Sequence, residues 1–288
     1  MKGIILAAGK GTRLSPATLP ISKILLPIYD RPMVYYPLTT LINAGIRDIL
    51  IITNESDLKN FQRTLGDGTQ FGVNITYTIQ YVQRGIADAF LIAEDFIKDD
   101  KVCLILGDNI FYGPHVDTLI SDIDNELDGA VVFGIPVRDP ERFGVLEFDN
   151  NMNIISIEEK PKDPKSNYVA VGLYFYDANV CSLTKTLKPS ARGELEITDL
   201  NNLYLEKKKL KGKLFEDGTR WIDAGTFDSF LEASEFVCDE EKSLGRKIMC
   251  PEIAAFKKGY ISKKDLEKWL DKNKDNEYFK GVRSELLN

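Results

Sequence analysis

The sequence predicts an α/β fold: a Rossmann-like, doubly wound, mixed but mostly parallel sheet, followed by a helical C-terminal part. Three observations predict it. Short runs rich in Ile, Val and Leu alternate with helical patterns through the first two thirds of the chain. These runs are apolar without alternation, which is typical of strands buried on both faces of a sheet. After Asp177 the helical patterns dominate, and 288 residues are enough for a large core.

The predicted strands are short apolar runs bounded by turn residues, and the predicted helices lie between and after them. The strands are Gly3–Ala7, Asp48–Thr53, Asn74–Gln80, Val102–Leu106, Ala130–Ile135, Val145–Phe148 and Val171–Tyr176. The helices are Pro32–Ala44, which Gly45 ends, Leu58–Leu65, Ala87–Phe96, Val116–Leu127, Leu195–Lys208 and Phe227–Glu241. The tail, Ser262–Asn288, places Leu266, Trp269 and Leu270 at helical spacing. It predicts an amphipathic helix that packs on the body or forms a subunit contact.

Composition and charge exclude several classes of protein. The net charge is −7, which argues against a nucleic-acid surface. No run approaches eighteen apolar residues and the apolar N-terminal run is too short for a signal peptide, so we expect a soluble, cytoplasmic protein without membrane contact. The four cysteines have no metal-site spacing, and we expect reduced thiols. Because His115, in a predicted surface turn, is the single histidine, the chemistry must rely on carboxylates, Lys, Arg and a hard metal.

The loop that follows the first strand, Gly9-Lys10-Gly11-Thr12-Arg13, is typical of a phosphate cradle. Glycines let backbone N–H groups approach an anion, and Arg13 adds a planar cationic fork. Leu14 stands where a dinucleotide fingerprint needs a third glycine, and a glycine between Lys10 and Thr12 breaks a Walker loop. The loop therefore binds polyphosphate in another way, or is an ordinary glycine-rich turn.

Two carboxylates follow apolar runs and lie close to a glycine. Asp108, in LGDN, comes directly after a glycine, and Asp223, in RWIDAG, lies two residues before one. At the carboxyl ends of strands they would lie in the ligand crevice, where carboxylates and phosphate oxygens together hold Mg²⁺. The alternative for Asp108 is a turn cap. Lys23 and Lys160, the latter beside Glu158 and Glu159, are candidate phosphate and sugar ligands. Surface ion pairing is the alternative for each lysine.

These residues lie in segments that resemble the sugar-nucleotide pyrophosphorylases over nearly the whole chain. The segments are Gly9–Leu14, Leu25–Asp30, Leu106–Gly113, Glu158–Pro161 and Pro189–Asp199. The resemblance implies a fold of the nucleotide-diphospho-sugar transferase type. Residues 1–240 would form the core with its nucleotide and sugar parts, and 241–288 a helical segment packed on the core or at a subunit contact. It also implies a homotetramer.

The same resemblance implies that an oxygen of glucose 1-phosphate attacks the α-phosphorus of dTTP, forming dTDP-glucose and pyrophosphate with Mg²⁺. Such a phosphate is already anionic, so positioning and charge neutralisation suffice without a general base. The implied catalytic residues are Arg13, Lys23, Asp108 and Asp223, of which Asp108 and Asp223 hold Mg²⁺. Those implied for the nucleotide are Ala8, Gly9, Gly11, Thr12, Arg13, Gln80, Gly85 and Asp108, and for the sugar phosphate Gly144, Glu159, Lys160 and Trp221.

Five single residues and one segment of four residues depart from the pattern of this family, and several of them lose a hydroxyl or amide group. They are Ala8, Ile24, Tyr81–Arg84, Phe143, Val171 and Ala224. Because hydrogen-bonding sites discriminate strongly, UTP, another nucleotide or another hexose 1-phosphate is the alternative substrate. A catalytically silent regulatory subunit would be expected to lose Arg13, Asp108 or Asp223, and all three are present.

Overall fold

A computed structural model of the chain describes residues 1–273 and 276–286, so residues 274–275 and 287–288 of the predicted tail lie outside it. The strands are β1 (Lys2–Leu6), β2 (Pro27–Ile28), β3 (Arg31–Pro32), β4 (Asp48–Thr53), β5 (Asn74–Ile79), β6 (Val102–Leu106), β7 (Asn109–Tyr112), β8 (Ala130–Pro136), β9 (Gly144–Phe148), β10 (Ile154–Glu159), β11 (Tyr168–Tyr176), β12 (Leu210–Leu214) and β13 (Arg220–Asp223). The helices are α1 (Tyr35–Asn43), α2 (Leu58–Leu65), α3 (Asp88–Ile92), α4 (Glu94–Ile97), α5 (Val116–Ser121), α6 (Ile123–Glu126), α7 (Val180–Thr184), α8 (Ile197–Glu206), α9 (Phe227–Leu244), α10 (Pro251–Lys257), α11 (Lys263–Asp271) and α12 (Glu277–Glu285).

The central sheet has the strand order β10-β9-β11-β6-β1-β4-β5, with β8 paired to β11 and β12 paired to β8. Strands β6, β1, β4 and β5 are mutually parallel. Across the described sheet, β10 and β11 run against the direction of the other strands. The predicted mixed, mostly parallel sheet is confirmed.

The sheet is buried on both faces, as its uninterrupted apolar strands predict. Ile4 and Ile5 in β1 are both fully buried, and they belong to different hydrophobic clusters. Because successive side chains of a strand point to opposite faces, each cluster covers one face of the sheet. Apolar residues on both faces therefore hold β1 at the centre of the fold.

Several elements differ from those that the sequence predicts. The predicted helix Ala87–Phe96 is interrupted at Ala93, whose backbone angles (φ −93°, ψ 8°) leave the helical region, and Val116–Leu127 is divided into α5 and α6. Strands β7 and β13 were not predicted; they pair antiparallel outside the central sheet. Each has four residues, which is too short for a periodicity signal.

The C-terminal helices pack on the core. Leu266 and Leu270 of α11 are buried, and the ring of Trp269 lies 6.5 Å from that of Phe71. The predicted tail helix corresponds to two helices in the described residues, α11 and α12, of which α11 packs on the body. The predicted domain boundary after residue 240 falls within α9 and stays a prediction.

A buried ionic cluster joins the β2–β3 hairpin to the segment after α9. Arg31 is 2% exposed, forms an ion pair with Glu241, and donates to the carbonyl oxygen of Ile248 at 2.8 Å. Lys247 contacts Glu241 at 2.7 Å and pairs with Asp30. Buried charges persist only when paired in this way, so the cluster fixes how the C-terminal helices join the core.

In the described ranges, no helix is both long and apolar enough to cross a bilayer.

Candidate active site

The glycine-rich loop extends from the end of β1, at the centre of the sheet. Gly11 has a φ of +62°, and a Cβ there would lie 2.9 Å from Cγ2 of Thr18, so both backbone and space require glycine. Leu14 is 1% exposed and anchors the loop in the core. Of the predicted site residues here, Ala8 is buried, Gly11 is half-buried, and Gly9, Thr12 and Arg13 are exposed.

The pairing of β7 with β13 brings the two predicted carboxylates together. After β6, the N–H of Gly107 donates to the carbonyl oxygen of Leu6 at 3.0 Å, which holds the turn against β1. Asn109 at the start of β7 is then opposite Asp223 at the end of β13, and Ala224 donates its N–H to the carbonyl oxygen of Asp108 at 2.9 Å. Asp108 and Asp223 therefore lie at the same end of the sheet as the loop.

The two carboxylates differ in their electrostatic environment. Burial opposes ionisation of Asp108, but the charge and hydrogen bond of Lys23, with which it forms an ion pair, lower its pKa. Burial, and then the charge of Asp108, raise the pKa of Asp223 to about 6, although Lys23 and Arg13 oppose this rise. Asp223 therefore holds its proton more tightly than Asp108 does, mainly because it is buried without an ion-pair partner as close as Lys23 is to Asp108.

Arg13 lies beside Asp223 because the residue between them is a glycine. A Cβ on Gly225 would be 2.7 Å from Nη2 of Arg13 and 3.0 Å from Oδ1 of Asp223. A side chain at position 225 would occupy the space that the guanidinium uses. Gly225 thus lets the cation of the loop approach the carboxylates.

Asn109 connects this region to the aromatic wall of the site. Its Nδ2 donates to Asp108 at 3.1 Å, and its Oδ1 accepts from the indole N–H of Trp221 at 2.7 Å. The ring of Trp221 lies edge-on to that of Phe143, with centroids 5.3 Å apart. Arg142, Phe143, Trp221 and Asp223 line a cavity of about 460 Å³. Sequence reasoning missed Asn109, although it lies in the LGDNIFYG segment that carries the resemblance.

Of the four sugar-phosphate residues predicted by resemblance, Gly144 and Lys160 lie beside Glu159, and Trp221 lies in the aromatic wall. Oε2 of Glu159 accepts from Thr198 Oγ1 at 2.7 Å, while Oε1 lies 3.5 Å from both Lys160 Nζ and Arg192 Nη2. A Cβ on Gly144 would approach Thr198 Oγ1 to 3.2 Å, so glycine keeps this corner open. Arg192 was not predicted as a site residue. Its position in the Pro189–Asp199 segment, which carries the family resemblance, could have indicated it.

The cluster around Glu159 joins the aromatic wall through the backbone. The N–H of Lys160 donates to the carbonyl oxygen of Phe143 at 2.9 Å, and Phe143 packs on Trp221. Contacts through Phe143, Trp221 and Asn109 therefore connect the cluster around Glu159 to Asp108.

The residues predicted to contact the base lie on the opposite side of the loop, after β5. Gln80 is 4% exposed, and its Nε2 donates to Oδ2 of Asp88 at 3.1 Å. Gly85 has a φ of +98°, and a Cβ there would lie 2.4 Å from the carbonyl oxygen of Leu195. The adjacent Gln83 donates from Nε2 to the carbonyl oxygen of Ala8 at 3.2 Å. The segment is therefore held against both the loop and residue 195.

Four of the five single-residue departures from the family pattern are core residues. The side chains that are at most 1% exposed are Ala8, Ile24, Val171 and Ala224. Ile24 packs under the turn at Gly107, where a Cβ would lie 3.0 Å from its Cγ2. These four shape the packing beneath the site. The other departures are Phe143 in the aromatic wall and the segment from Tyr81 to Arg84, where Tyr81 is 74% exposed.

A larger cavity, of about 1070 Å³, lies elsewhere, between α1, β7, α9 and α10. Asn43, Tyr112 and Arg246 are among its lining residues. It contains none of Arg13, Asp108, Asp223 or Lys160. We therefore place the candidate active site at the loop and the paired carboxylates, and not in the larger cavity.

We expect Asp223→Asn to stabilise the metal-free protein by about 2 kcal/mol at pH 8. The raised pKa of Asp223 favours the fold while the carboxyl is protonated. That contribution is complete below the unfolded-state pKa near 4 and lost as pH rises through about 6, so the gain from Asn should shrink toward pH 4. Urea unfolding in EDTA between pH 4.5 and 8 measures it. Asp128→Asn, at an exposed carboxylate, is the control; equal stability of Asp223→Asn and wild type at pH 8 would contradict this prediction.

Comparison with known proteins shows what the whole chain is similar to. A family model described as nucleotidyl transferase matches residues 2–240. A glucose-1-phosphate thymidylyltransferase of Neisseria gonorrhoeae is 51% identical over 281 residues, which cover 96% of this chain and 98% of the relative. That of Mycolicibacterium smegmatis is 51% identical and covers 91% and 90%.

Two solved structures are also similar. A Bacillus anthracis protein assigned as a glucose-1-phosphate thymidylyltransferase, solved with sucrose, has a TM-score of 0.76 and 46% identity, covering 82% of this chain and 94% of its own. A UDP-glucose pyrophosphorylase solved with UDP-glucose has a TM-score of 0.73 at 24% identity, covering 83% and 98%. The second supports the fold alone.

Proposed function

This chain belongs to the nucleotidyl transferase family, and we propose that it condenses dTTP with α-D-glucose 1-phosphate to give dTDP-glucose and pyrophosphate. The observation that carries the proposal is the convergence of Asp108, Asp223 and Arg13 at the end of the parallel strands. The substrates are those in the names of relatives that are about half identical over nearly the whole chain.

The reaction needs a nucleophile, a held triphosphate and a stabilised leaving group. The phosphate oxygen of glucose 1-phosphate is already an anion, so no side chain has to remove a proton from it. Lys160 and Arg192, both within 3.5 Å of Glu159, would bind this phosphate, and Glu159 with Thr198 would take sugar hydroxyls. Gly144 has no side chain and so leaves space for the sugar phosphate, and Trp221 borders that space. The aromatic wall would orient the attacking oxygen toward the α-phosphorus.

The triphosphate would lie along the loop, where Gly9, Gly11 and Thr12 offer backbone N–H groups. Arg13 would neutralise charge that develops on the β- and γ-phosphates as pyrophosphate leaves. Lys23, which pairs with Asp108 here, would bridge that carboxylate and the phosphates. Gln80 and the backbone at Gly85 would contact the base.

We also propose that Mg²⁺ binds to Asp108 and Asp223. The donor set fits, since Asp108 and Asp223 are two carboxylates that lie close enough for the charge of Asp108 to act on Asp223. Within residues 1–273 and 276–286, no three His, Cys, Asp or Glu side chains form a metal cluster. This agrees with Mg²⁺, which commonly takes one or two carboxylates and fills its shell with substrate phosphates and water. When bound, the ion would supply positive charge to the phosphates.

The assembly that we propose is a homotetramer, as the resemblance to the sugar-nucleotide pyrophosphorylases implies. Phe227 and Leu231, one turn apart on α9, are 51% and 58% exposed and are available for a subunit contact. Light scattering during size-exclusion chromatography would measure the mass. A monomer at micromolar concentration would contradict this assembly.

Pyrophosphate release with Mg²⁺ and glucose 1-phosphate tests the function, with dTTP, UTP, dCTP, CTP, ATP and GTP compared at equal concentrations. We expect dTTP to be preferred, with UTP second. A better rate with another nucleotide would assign the departures at Phe143 and Tyr81–Arg84 to altered specificity. Absence of release with every nucleotide and with other hexose 1-phosphates would refute the proposed reaction.

A further inference from the structure

We propose that Asp88, held by Arg84, fixes the side-chain amide of Gln80 in one orientation and so sets which bases the site accepts. Asp88 is a positioning residue in this proposal, since it acts through Gln80. The inference rests on the proposed function, because that function assigns Gln80 to the base of the nucleotide. It goes further by naming the groups that make the base contact selective.

The three side chains form a hydrogen-bonded chain that is closed to solvent at its centre. Asp88, the first residue of α3, is fully buried. Its Oδ2 accepts from Gln80 Nε2 at 3.1 Å, and its Oδ1 accepts from Arg84 Nη2 at 2.8 Å. Gln80 is 4% exposed, whereas the side chain of Arg84 is 58% exposed. The negative charge of the buried Asp88 carboxylate is therefore paired with the guanidinium of Arg84, whose side chain is largely exposed at the surface.

This arrangement excludes a turned-over amide at Gln80. A carboxylate paired with arginine offers only acceptors, so the group of Gln80 that faces it must be the donor Nε2. If the amide turned over, Oε1 of Gln80 would face Oδ2 of Asp88, and two buried acceptors would oppose each other without a proton. The orientation of Gln80 thus follows from the chemistry of Asp88.

A fixed amide distinguishes between two classes of base. Thymine and uracil present an N3–H donor beside carbonyl acceptors, which match the Oε1 of Gln80 and its remaining Nε2 hydrogen. Cytosine presents an acceptor at N3 beside an amino donor, and it would need the turned-over amide. A site whose polar groups are left unpaired by the wrong ligand rejects it strongly. Asp88 therefore enforces selection of imide bases over amino bases.

The backbone segment that bears Gln80, Arg84 and Asp88 is held in place independently of the ion pair between Arg84 and Asp88. The N–H of Leu195 donates to the carbonyl oxygen of Arg84 at 2.6 Å, and the N–H of Ala87 donates to that of Leu195 at 3.2 Å. Gln83 ties the same segment to Ala8 in the loop. Because the backbone has these anchors, the Arg84–Asp88 contact can be altered while the segment keeps its position.

The variant that tests the proposal is Asp88→Asn in the full-length protein. Asn has the same shape, but its amide can donate or accept, so either orientation of Gln80 becomes compatible with it. Two measurements are made for dTTP and for dCTP: kcat/KM for pyrophosphate release, and Kd by titration calorimetry without the sugar phosphate. We expect the dTTP-to-dCTP ratio to fall at least tenfold in both, while kcat with dTTP stays within about threefold of wild type.

Matched variants separate selectivity from stability. Arg84→Met keeps the aliphatic stem and removes the cation, and we expect it to lower the ratio by a smaller factor. It also serves if Asp88→Asn fails to fold. Glu94, on the helix that follows α3, forms an exposed ion pair with Lys185. Glu94→Gln removes the negative charge of that pair, and its dTTP-to-dCTP ratio should equal that of wild type.

An unchanged dTTP-to-dCTP ratio in folded Asp88→Asn would overturn the proposal, as would equal losses with both nucleotides, which indicate a structural role alone. The binding measurement keeps this test separate from the proposed reaction. If wild type binds dTTP over dCTP but releases no pyrophosphate, the reaction fails while the selectivity of Asp88 is still measured. If wild type shows no preference in binding, the role of Asp88 is refuted directly.

Discussion

Replacing Asp108 with Asn is expected to lower kcat for pyrophosphate release by about 10³-fold or more, with the fold retained. Asp108 is the carboxylate whose pKa is lowered, so it is ionised across the physiological range. It also meets Lys23, Asn109 and, through its carbonyl oxygen, Ala224. Asn preserves the shape but removes the charge that the proposed Mg²⁺ site needs.

The measurement compares rates at saturating dTTP and glucose 1-phosphate over a range of Mg²⁺ concentrations. Loss of the partner leaves Lys23 poorly compensated, so a stability loss of about 1–3 kcal/mol is expected, and circular dichroism below the melting temperature confirms the fold. Asp128→Asn is the isosteric control, since Asp128 is exposed and forms a surface ion pair with Lys209. A rate within tenfold of wild type for Asp108→Asn would remove this aspartate from the mechanism.

Replacing Arg13 with Ala is expected to lower kcat by about 10²- to 10³-fold, with a smaller change in KM for dTTP. The guanidinium is exposed and is not needed to hold the loop, which Leu14 anchors in the core. Its proposed work is done in the transition state, where charge develops on the departing pyrophosphate. Arg13→Lys keeps the charge but loses the fork, and we expect an intermediate rate.

Gly225→Ala tests the same cation by displacing it without deleting it. The new methyl group would lie 2.7 Å from Nη2 of Arg13 and 3.0 Å from Oδ1 of Asp223, and the longer, more flexible arginine side chain would move first. We expect kcat to fall about tenfold, since misplaced groups lose rate without losing binding. Arg63→Ala, at an exposed position on α2, is the control for removing an arginine. Normal kcat in both Arg13→Ala and Gly225→Ala would show that the cation has no catalytic role.

The local sequence was sufficient for the central strands at whose ends the site lies. Strands β1, β4 and β6 are uninterrupted apolar runs, and burial on both faces is the physical cause of that pattern. The glycine-rich loop could also be predicted from the sequence, because its conformation requires glycine, as the positive φ at Gly11 shows. Single residues could be named because carboxylates and cations near predicted strand ends suit phosphate and Mg²⁺ binding, and because the spaced segments resemble a known family.

Other features were decided by the tertiary structure alone. Asp108 and Asp223 meet because β7 pairs with β13, and the contact between Asn109 and Trp221 in that region spans 112 positions of sequence. The burial of Ile24, Val171 and Ala224 was equally unpredicted, although all three had been counted as departures near the substrate.

The sequence by itself thus determined the fold class, the loop and the types of residue available for chemistry. The tertiary structure decided which of those residues meet, which are buried, and how Asp88 orients Gln80. The physical reason is that apolar periodicity and glycine conformation are local properties of a chain. Pairing of short strands and desolvation of a carboxylate depend instead on residues that are distant in sequence, and no local pattern records them.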